Sequence, residues 1–389
     1  MRVAKILEGI RVFDLTVAAV GPWSTKLLGA LGADVIRVER PGGDNLSMGV
    51  PPKINGTSVL HISANHNKRN IELDLKKESD RAIALKIIEN CDVFVQNMRT
   101  GTVERLGMGY EDLAKVNPRI IYVAASAYGR TGPMAHFGAI DPEIQAMCGW
   151  CSIMGQEGGR GEMFRHLGHI DLTTATYITQ AVLQALLARE RTGKGQKIEV
   201  EMLRAAMAIQ TTRLAEYLAT GEAPKPLGSA SSREVPHQAF LCQDQRYIAV
   251  GVVREEQWPG FCRALKLPEL ISDPRFATNS ARLEHRGELI PIVAQRFLAK
   301  PAAWWIIALT RDKVPNAPFL KFEELRDHPQ VRENGYMVEL DTPHWGRIWV
   351  DGLPWKFHST PAQPIKPASM HGEHTAEVFA ELGIERRAK

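Results

Sequence analysis

Runs of β-branched and aromatic residues alternate with amphipathic stretches along the first third of the chain. Residues 10–16 (IRVFDLT) are rich in β-branched and large apolar side chains, which predicts a buried strand. A turn of small residues follows, Ala18-Ala19-Val20-Gly21-Pro22, and a helix is predicted from Pro22 to about Leu31, since proline suits the first helical turn. Gly32 ends that helix, and residues 34–40 (DVIRVER) read as the next strand. Strand, helix and strand within about 30 residues make a βαβ unit.

The pattern recurs, with strands at 71–75 (IELDL), 93–98 (VFVQNM) and 119–125 (RIIYVAA) and a helix at 79–90. Such alternation predicts an α/β fold, a parallel sheet with helices on its faces. Ligands of these sheets collect at the carboxyl ends of the strands. That singles out the turns at 18–22, at Arg40, at 97–99 and at 127–129.

Further along the pattern changes. Residues 130–170 are irregular, with Gly155, Gly158, Gly159 and Gly161 marking a loop. A long helix is predicted at about 173–191, where Ile178, Val182 and Leu186 make one apolar stripe; Gly193 stops it and a strand follows at 197–202. From about 225, Pro224, Pro226, Gly228 and a Ser/Ala run predict a linker, then a strand at 246–252 and mostly helical material. This reads as a second, smaller domain at 225–325. The tail carries prolines at 343, 354, 361, 364 and 367 and ends in a helix near 373–382; no internal repeat is visible.

Composition narrows the class. With 389 residues, two or three domains are expected at roughly 100–200 residues each. Hydrophobic residues at 44% and charged residues at 24% exclude disordered and fibrous chains, and a net charge of +4 over this length is too dilute to predict a nucleic-acid partner. Lys5, Glu8 and Arg11 interrupt the first apolar run, so no signal peptide is expected, and no stretch is long and apolar enough to predict a membrane span. Five cysteines are too few and too scattered for a disulfide framework, which favours a cytoplasmic location.

Several motifs invite chemistry. Cys148-Gly149-Trp150-Cys151 is a CxxC, but a helical pattern precedes it, a loop follows, and no second pair stands at zinc spacing, so two inert thiols are expected and no metal. Neither the 155–161 segment nor RTGKGQ at 191–196 has the spacing of a phosphate-binding loop. Asp171 precedes the long helix and reads as its N-cap, the carboxylate accepting a backbone N–H. The same geometry would keep it ionised, and an ionised carboxylate beside a glycine-rich loop can act as a nucleophile. Spacing leaves both roles open.

Taken in order, LEGIRVFDLT, GPWSTKLLGALGADVIRVERPGGD, NKRNIELDL, DVFVQNMRTGTVERLG, NPRIIYVAASAYGRTGP, DLTTATYITQAVLQALLARERTGKGQKIEVEM and GEHTAEVFAELGI resemble the family III CoA-transferases across nearly the whole chain. The resemblance implies a Rossmann-like large domain built from 1–224 and 326–389, a smaller α+β domain at 225–325, and an interlocked homodimer, with a hetero-oligomer as the other possibility. It places the family's nucleophile at Asp171. Coenzyme A, bound as substrate with no tightly held cofactor, is implied to lie against Ala18, Ala19, Val20, Arg40, Leu73, Lys76, Asn97, Met98, Arg105 and Met202. The basic residues among these suit its phosphates.

The activity implied is reversible transfer of CoA from an acyl-CoA to a free carboxylic acid through an aspartyl mixed anhydride and an aspartyl-CoA thioester, with oxyanions held by amides around 18–21. Two positions depart from the pattern. The 228–233 segment (GSASSR) stands where some members carry a run of glycines, and Gly138 replaces a basic residue used by the formyl transferase. In the related racemases a His–Asp pair moves an α-proton; here Ile140 stands at the histidine position and cannot take one. Intramolecular transfer within one dicarboxylic acyl-CoA and a non-catalytic acyl-CoA-binding subunit complete the alternatives. Arg160, Arg165, His166 and His169 precede Asp171 and are candidates to hold a second carboxylate, as on a succinyl group.

Overall fold

The computed structural model describes residues 5–44, 48–165 and 168–384. Six strands form the central sheet: β1 (Arg11–Leu15), β2 (Asp34–Glu39), β3 (Lys68–Glu72), β4 (Val93–Gln96), β5 (Ile121–Ser126) and β6 (Gln196–Glu201). They are ordered β3-β2-β1-β4-β5-β6, and every pairing is parallel. This is the doubly wound order, which reverses direction between β1 and β4 and opens a crevice at their carboxyl ends.

The sheet is buried on both faces, which is why apolar residues recur on both sides of its strands. Val12, Val35, Val93, Val95, Ile121 and Val123 point to one side, where α1 (Val20–Ala30) and a long helix pack. Their neighbours Phe13, Ile36, Phe94 and Tyr122 point to the other, under α2 (Glu78–Glu89). In register across β1, β4 and β5, Phe13, Phe94 and Tyr122 stack at centroid spacings of 5.4 and 5.1 Å.

β3 lies three residues earlier than its pattern predicts. Lys68 and Asn70 are polar, yet both are buried: Lys68 Nζ meets Asp14 Oδ2 at 3.0 Å and also donates to Pro22 O and Asn65 Oδ1, and Asn70 Oδ1 accepts the Gly372 N–H at 2.7 Å. Removing these charges from water is offset by their mutual pairing. The helical pattern before the CxxC is α3 (Asp141–Met147), whereas one helix and a hairpin had no clear signal: α5 (Met202–Ile209) and the pair β10 (Met337–Thr342) and β11 (Gly346–Asp351). The long helix between α3 and α5, α4 (His169–Thr192), begins four residues before its predicted start and ends at Gly193, whose φ of 70° suits a residue without Cβ.

The chain divides into two compact units. One holds residues 1–150, 164–222 and 332–389; its last helix, α9 (Thr375–Glu381), packs against β3. The other holds 151–163 and 223–331, and so takes in the glycine segment. Within it the antiparallel strands β7 (His237–Leu241), β8 (Tyr247–Gly251) and β9 (Asn316–Pro318) pack with α6 (Trp258–Leu265), α7 (Arg286–Phe297) and α8 (Ala302–Arg311) around Phe240, Phe261, Phe297 and Trp305. The 228–233 segment is tied down inside this unit: Gly228 N–H donates to Gly155 O at 2.7 Å and Arg286 to Ser231 O at 2.9 Å. Among the described residues no single helix is long and apolar enough to cross a membrane.

Candidate active site

The chain leaves β1 through a turn that its neighbours hold in an unusual shape. Thr16 N–H and hydroxyl both donate to the buried Asp14 carboxylate. Asn97, just past β4, makes a reciprocal pair with Val17, accepting its N–H at 2.8 Å and donating to its carbonyl at 2.9 Å. Ala18 sits at φ 61°, a left-handed conformation costly for a residue with Cβ, and its N–H donates to Asp44 Oδ2 at 2.8 Å. Gly21 is required by crowding, since a Cβ there would lie 2.3 Å from Thr16 Cβ. Ala19, at the N-cap of α1, offers no side-chain acceptor, so the amides at the positive end of the helix are open to an external anion.

Asp171 reaches the same place from α4. It is not the N-cap, which is Gly168; it lies within the first turn, and the cap comes from elsewhere in the chain. Asp141, at the start of α3 and 5% exposed, accepts the N–H groups of Ile170 and Asp171 on Oδ2 at 2.7 and 3.1 Å. Gln145 binds the other oxygen and clamps the backbone of Phe164 through both ends of its amide. The direction expected for the Asp171 pKa is therefore reversed. Burial first, then the Asp141 charge, push its carboxyl up to about 7, outweighing the favourable position in a helix first turn.

Asp171, Ala18, Ala19, Val20, Asn97, Met98 and Met202 line one cavity of about 130 Å³. Arg40, Leu73, Lys76 and Arg105 line an adjoining cavity of about 730 Å³ that shares Met98 with the first. Leu73 is its buried floor, while Arg40, Lys76 and Arg105 are exposed around it. The acidic residues nearby are engaged: Glu39 with Arg37 and His371, each at 2.9 Å, and Asp44 with Ala18. Arg37 and His371 hold the Glu39 carboxyl at about 2 against its burial.

Other candidates fall elsewhere. Arg165 and His169 do not line the Asp171 cavity; His169 rests between the rings of Trp150 and Phe164, Arg160 lies in the other compact unit, and His166 lies outside the described residues. Arg99 lines the cavity instead, in the 97–99 turn that the strand pattern singled out. Gly138 packs beside it, a Cβ there falling 3.5 Å from Arg99 Nε, an ordinary contact distance. Ile140 also lines the cavity, 61% exposed. Cys148 and Cys151 form no disulfide, burial pushes the Cys148 thiol up, and Cys151 belongs to a helical turn (Trp150–Ile153) where a loop was expected. Among the described residues no cluster of three or more His, Cys, Asp or Glu could hold a metal ion.

A family model described as CoA-transferase family III matches residues 7–375. The chain is 36% identical over 379 residues to the succinyl-CoA:glutarate CoA-transferase of Mus musculus, covering 97% of this chain and 86% of that one. It is 33% identical to the acetyl-CoA:oxalate CoA-transferase of Acetobacter aceti, covering 92% of each. In structure it resembles a CAIB/BAIF family protein from Brucella suis, with a TM-score of 0.88 at 29% identity over 97% of this chain and all of that one. A sheet-end crevice at the β1/β4 reversal, cationic on one side and carboxylic on the other, thus occurs in a chain that belongs to the family III CoA-transferases, enzymes that act on CoA thioesters.

Proposed function

We propose that this enzyme moves CoA from a dicarboxylic acyl-CoA such as succinyl-CoA to a second short acid, with Asp171 as covalent nucleophile. The observation that carries the reading is the Asp171 carboxyl facing the cavity at the N-terminus of α1, where amides can hold an oxyanion. An oxygen of Asp171 attacks the thioester carbonyl; the C–S bond breaks, CoA leaves as thiolate, and an aspartyl–acyl anhydride forms. The thiolate then attacks the aspartyl carbonyl and expels the donor acid as carboxylate, leaving an aspartyl-CoA thioester. The acceptor carboxylate repeats both steps in reverse order, so no proton is gained or lost overall. A carboxyl with a raised pKa is the more basic nucleophile and is still ionised above neutrality.

Supporting this over α-proton exchange, no histidine among the described residues lines the cavity, and Ile140 has no basic atom. The dicarboxylic substrate is favoured because the succinyl-CoA:glutarate and acetyl-CoA:oxalate transferases named above act on dicarboxylic acids, as does a succinyl-CoA:mesaconate CoA-transferase of Haloarcula hispanica, 31% identical. Arg40, Lys76 and Arg105 are assigned to the CoA phosphates, and Ala18, Ala19, Val20, Leu73, Asn97, Met98 and Met202 to the rest of the CoA path. A cytoplasmic homodimer completes the proposal: the described cysteines form no disulfide, and the exposed Met207, Tyr217 and Leu218 provide an apolar face for a second copy.

The test is peptide mass spectrometry after incubation with succinyl-CoA and hydroxylamine. A hydroxamate on Asp171 that requires the acyl-CoA is expected. An enzyme that turns over succinyl-CoA with Asp171 unmodified, or an Asp171→Ala variant that keeps its turnover, would overturn the covalent relay.

A further inference from the structure

We infer that Arg99 selects the substrate by pairing with the distal carboxylate of a short dicarboxylic acid whose reacting carboxyl faces Asp171; this rests on the dicarboxylate reading above. Arg99 and Asp171 line the same cavity, and among the described residues lining it Arg99 is the one cation. The guanidinium has no carboxylate partner among the described residues. Arg130 and Arg189 of the same unit, by contrast, are paired with Glu104 and Asp92. Gly138 lies beside Arg99, where a Cβ would stand in ordinary contact at 3.5 Å from Nε.

Between the two polar ends the walls are apolar. Phe137 and Ile140 are 63% and 61% exposed, both lining this cavity. Large apolar side chains left open beside a cation and a carboxyl suit a methylene chain carrying charge at its far end. The cavity, about 130 Å³, has about the volume of four waters and so suits a short chain. Arginine is the apt cation, because its planar fork engages both oxygens of a carboxylate. A monocarboxylate of equal length would fill the walls and leave Arg99 to solvent.

The test compares Arg99→Met with the unmutated enzyme, using succinate and glutarate against butyrate and valerate as acceptors, with one acyl-CoA donor throughout. In a ping-pong sequence the acceptor kcat/KM reports only the second half-reaction, so effects on the donor drop out. Arg99→Met should lower kcat/KM for the dicarboxylates about 10- to 100-fold, the loss of a charge-assisted hydrogen-bonded pair, and leave the monocarboxylates within about threefold. Arg99→Lys should fall between. Arg99 is exposed, so the variant should melt with the unmutated enzyme. Equal losses for both acid classes, with a raised KM for the acyl-CoA, would assign Arg99 to CoA and overturn the inference while the dicarboxylate reading stands. An unmutated enzyme with no preference for dicarboxylates would overturn both.

Discussion

Replacing Asp141 by Asn separates its two effects on Asp171, because the amide oxygen can still accept the Ile170 and Asp171 N–H groups while the charge is gone. Asp171 stands at about 7 instead of 3.8, and burial is the larger cause, so Asp141 accounts for less than half the rise. That caps the Asp141 contribution at about one and a half pH units, or about 2 kcal/mol. Asp171 acts ionised, so the acid limb of kcat/KM should move down by about one pH unit. At pH 6 the unmutated enzyme has about a tenth of Asp171 ionised and the variant about half, so activity relative to each plateau should rise about fivefold. The amide now facing Gln145 disturbs its clamp on Phe164, at a cost of about 1 kcal/mol in stability, and the plateau should fall. The assay is steady-state kcat/KM for the acyl-CoA from pH 5 to 9, with thermal melts as the folding control. A folded Asp141→Asn enzyme whose acid limb stays in place would refute the electrostatic coupling.

Three further outcomes follow from the same geometry. Asp171 binds its proton more tightly folded than unfolded, so its ionisation opposes folding: the penalty is absent below about pH 4 and grows to at most about 4 kcal/mol as pH rises through 7. Asp171→Asn should therefore abolish transfer yet melt higher than the unmutated enzyme at pH 8, with the gap closing at pH 4; a gap independent of pH would contradict this. Lys68→Met strands the fully buried Asp14 carboxylate and should cost about 3–5 kcal/mol in urea unfolding, and a loss below about 1 kcal/mol would show the pair to be dispensable. Ala18→Gly should leave kcat/KM within about threefold because glycine accepts φ 61°, whereas Ala18→Val should lower it at least about tenfold by re-aiming the turn; equal activities would dismiss that turn as part of the site.

The alternation of apolar runs and amphipathic stretches determines by itself that the first part of this chain is a parallel sheet flanked by helices. It also directs attention to the turns where Ala18–Val20, Arg40 and Asn97–Arg99 are found. It could do so because a strand buried on both faces must be apolar at nearly every position, whatever lies elsewhere in the chain. It could not place β3, whose Lys68 is hidden by pairing with Asp14, a residue 54 positions away. Nor could it start α4 correctly, because the groups that cap the helix are the side chain of Asp141, 30 residues upstream, and a glycine that carries no signal. The protonation of Asp171 followed the same division. Near its own helix it reads as an ionised carboxylate, and only burial beside Asp141 raises it. Local propensity is written residue by residue, but a pKa, a buried ion pair or a free guanidinium depends on what the folded chain brings within a few ångströms, and only the tertiary structure decides that.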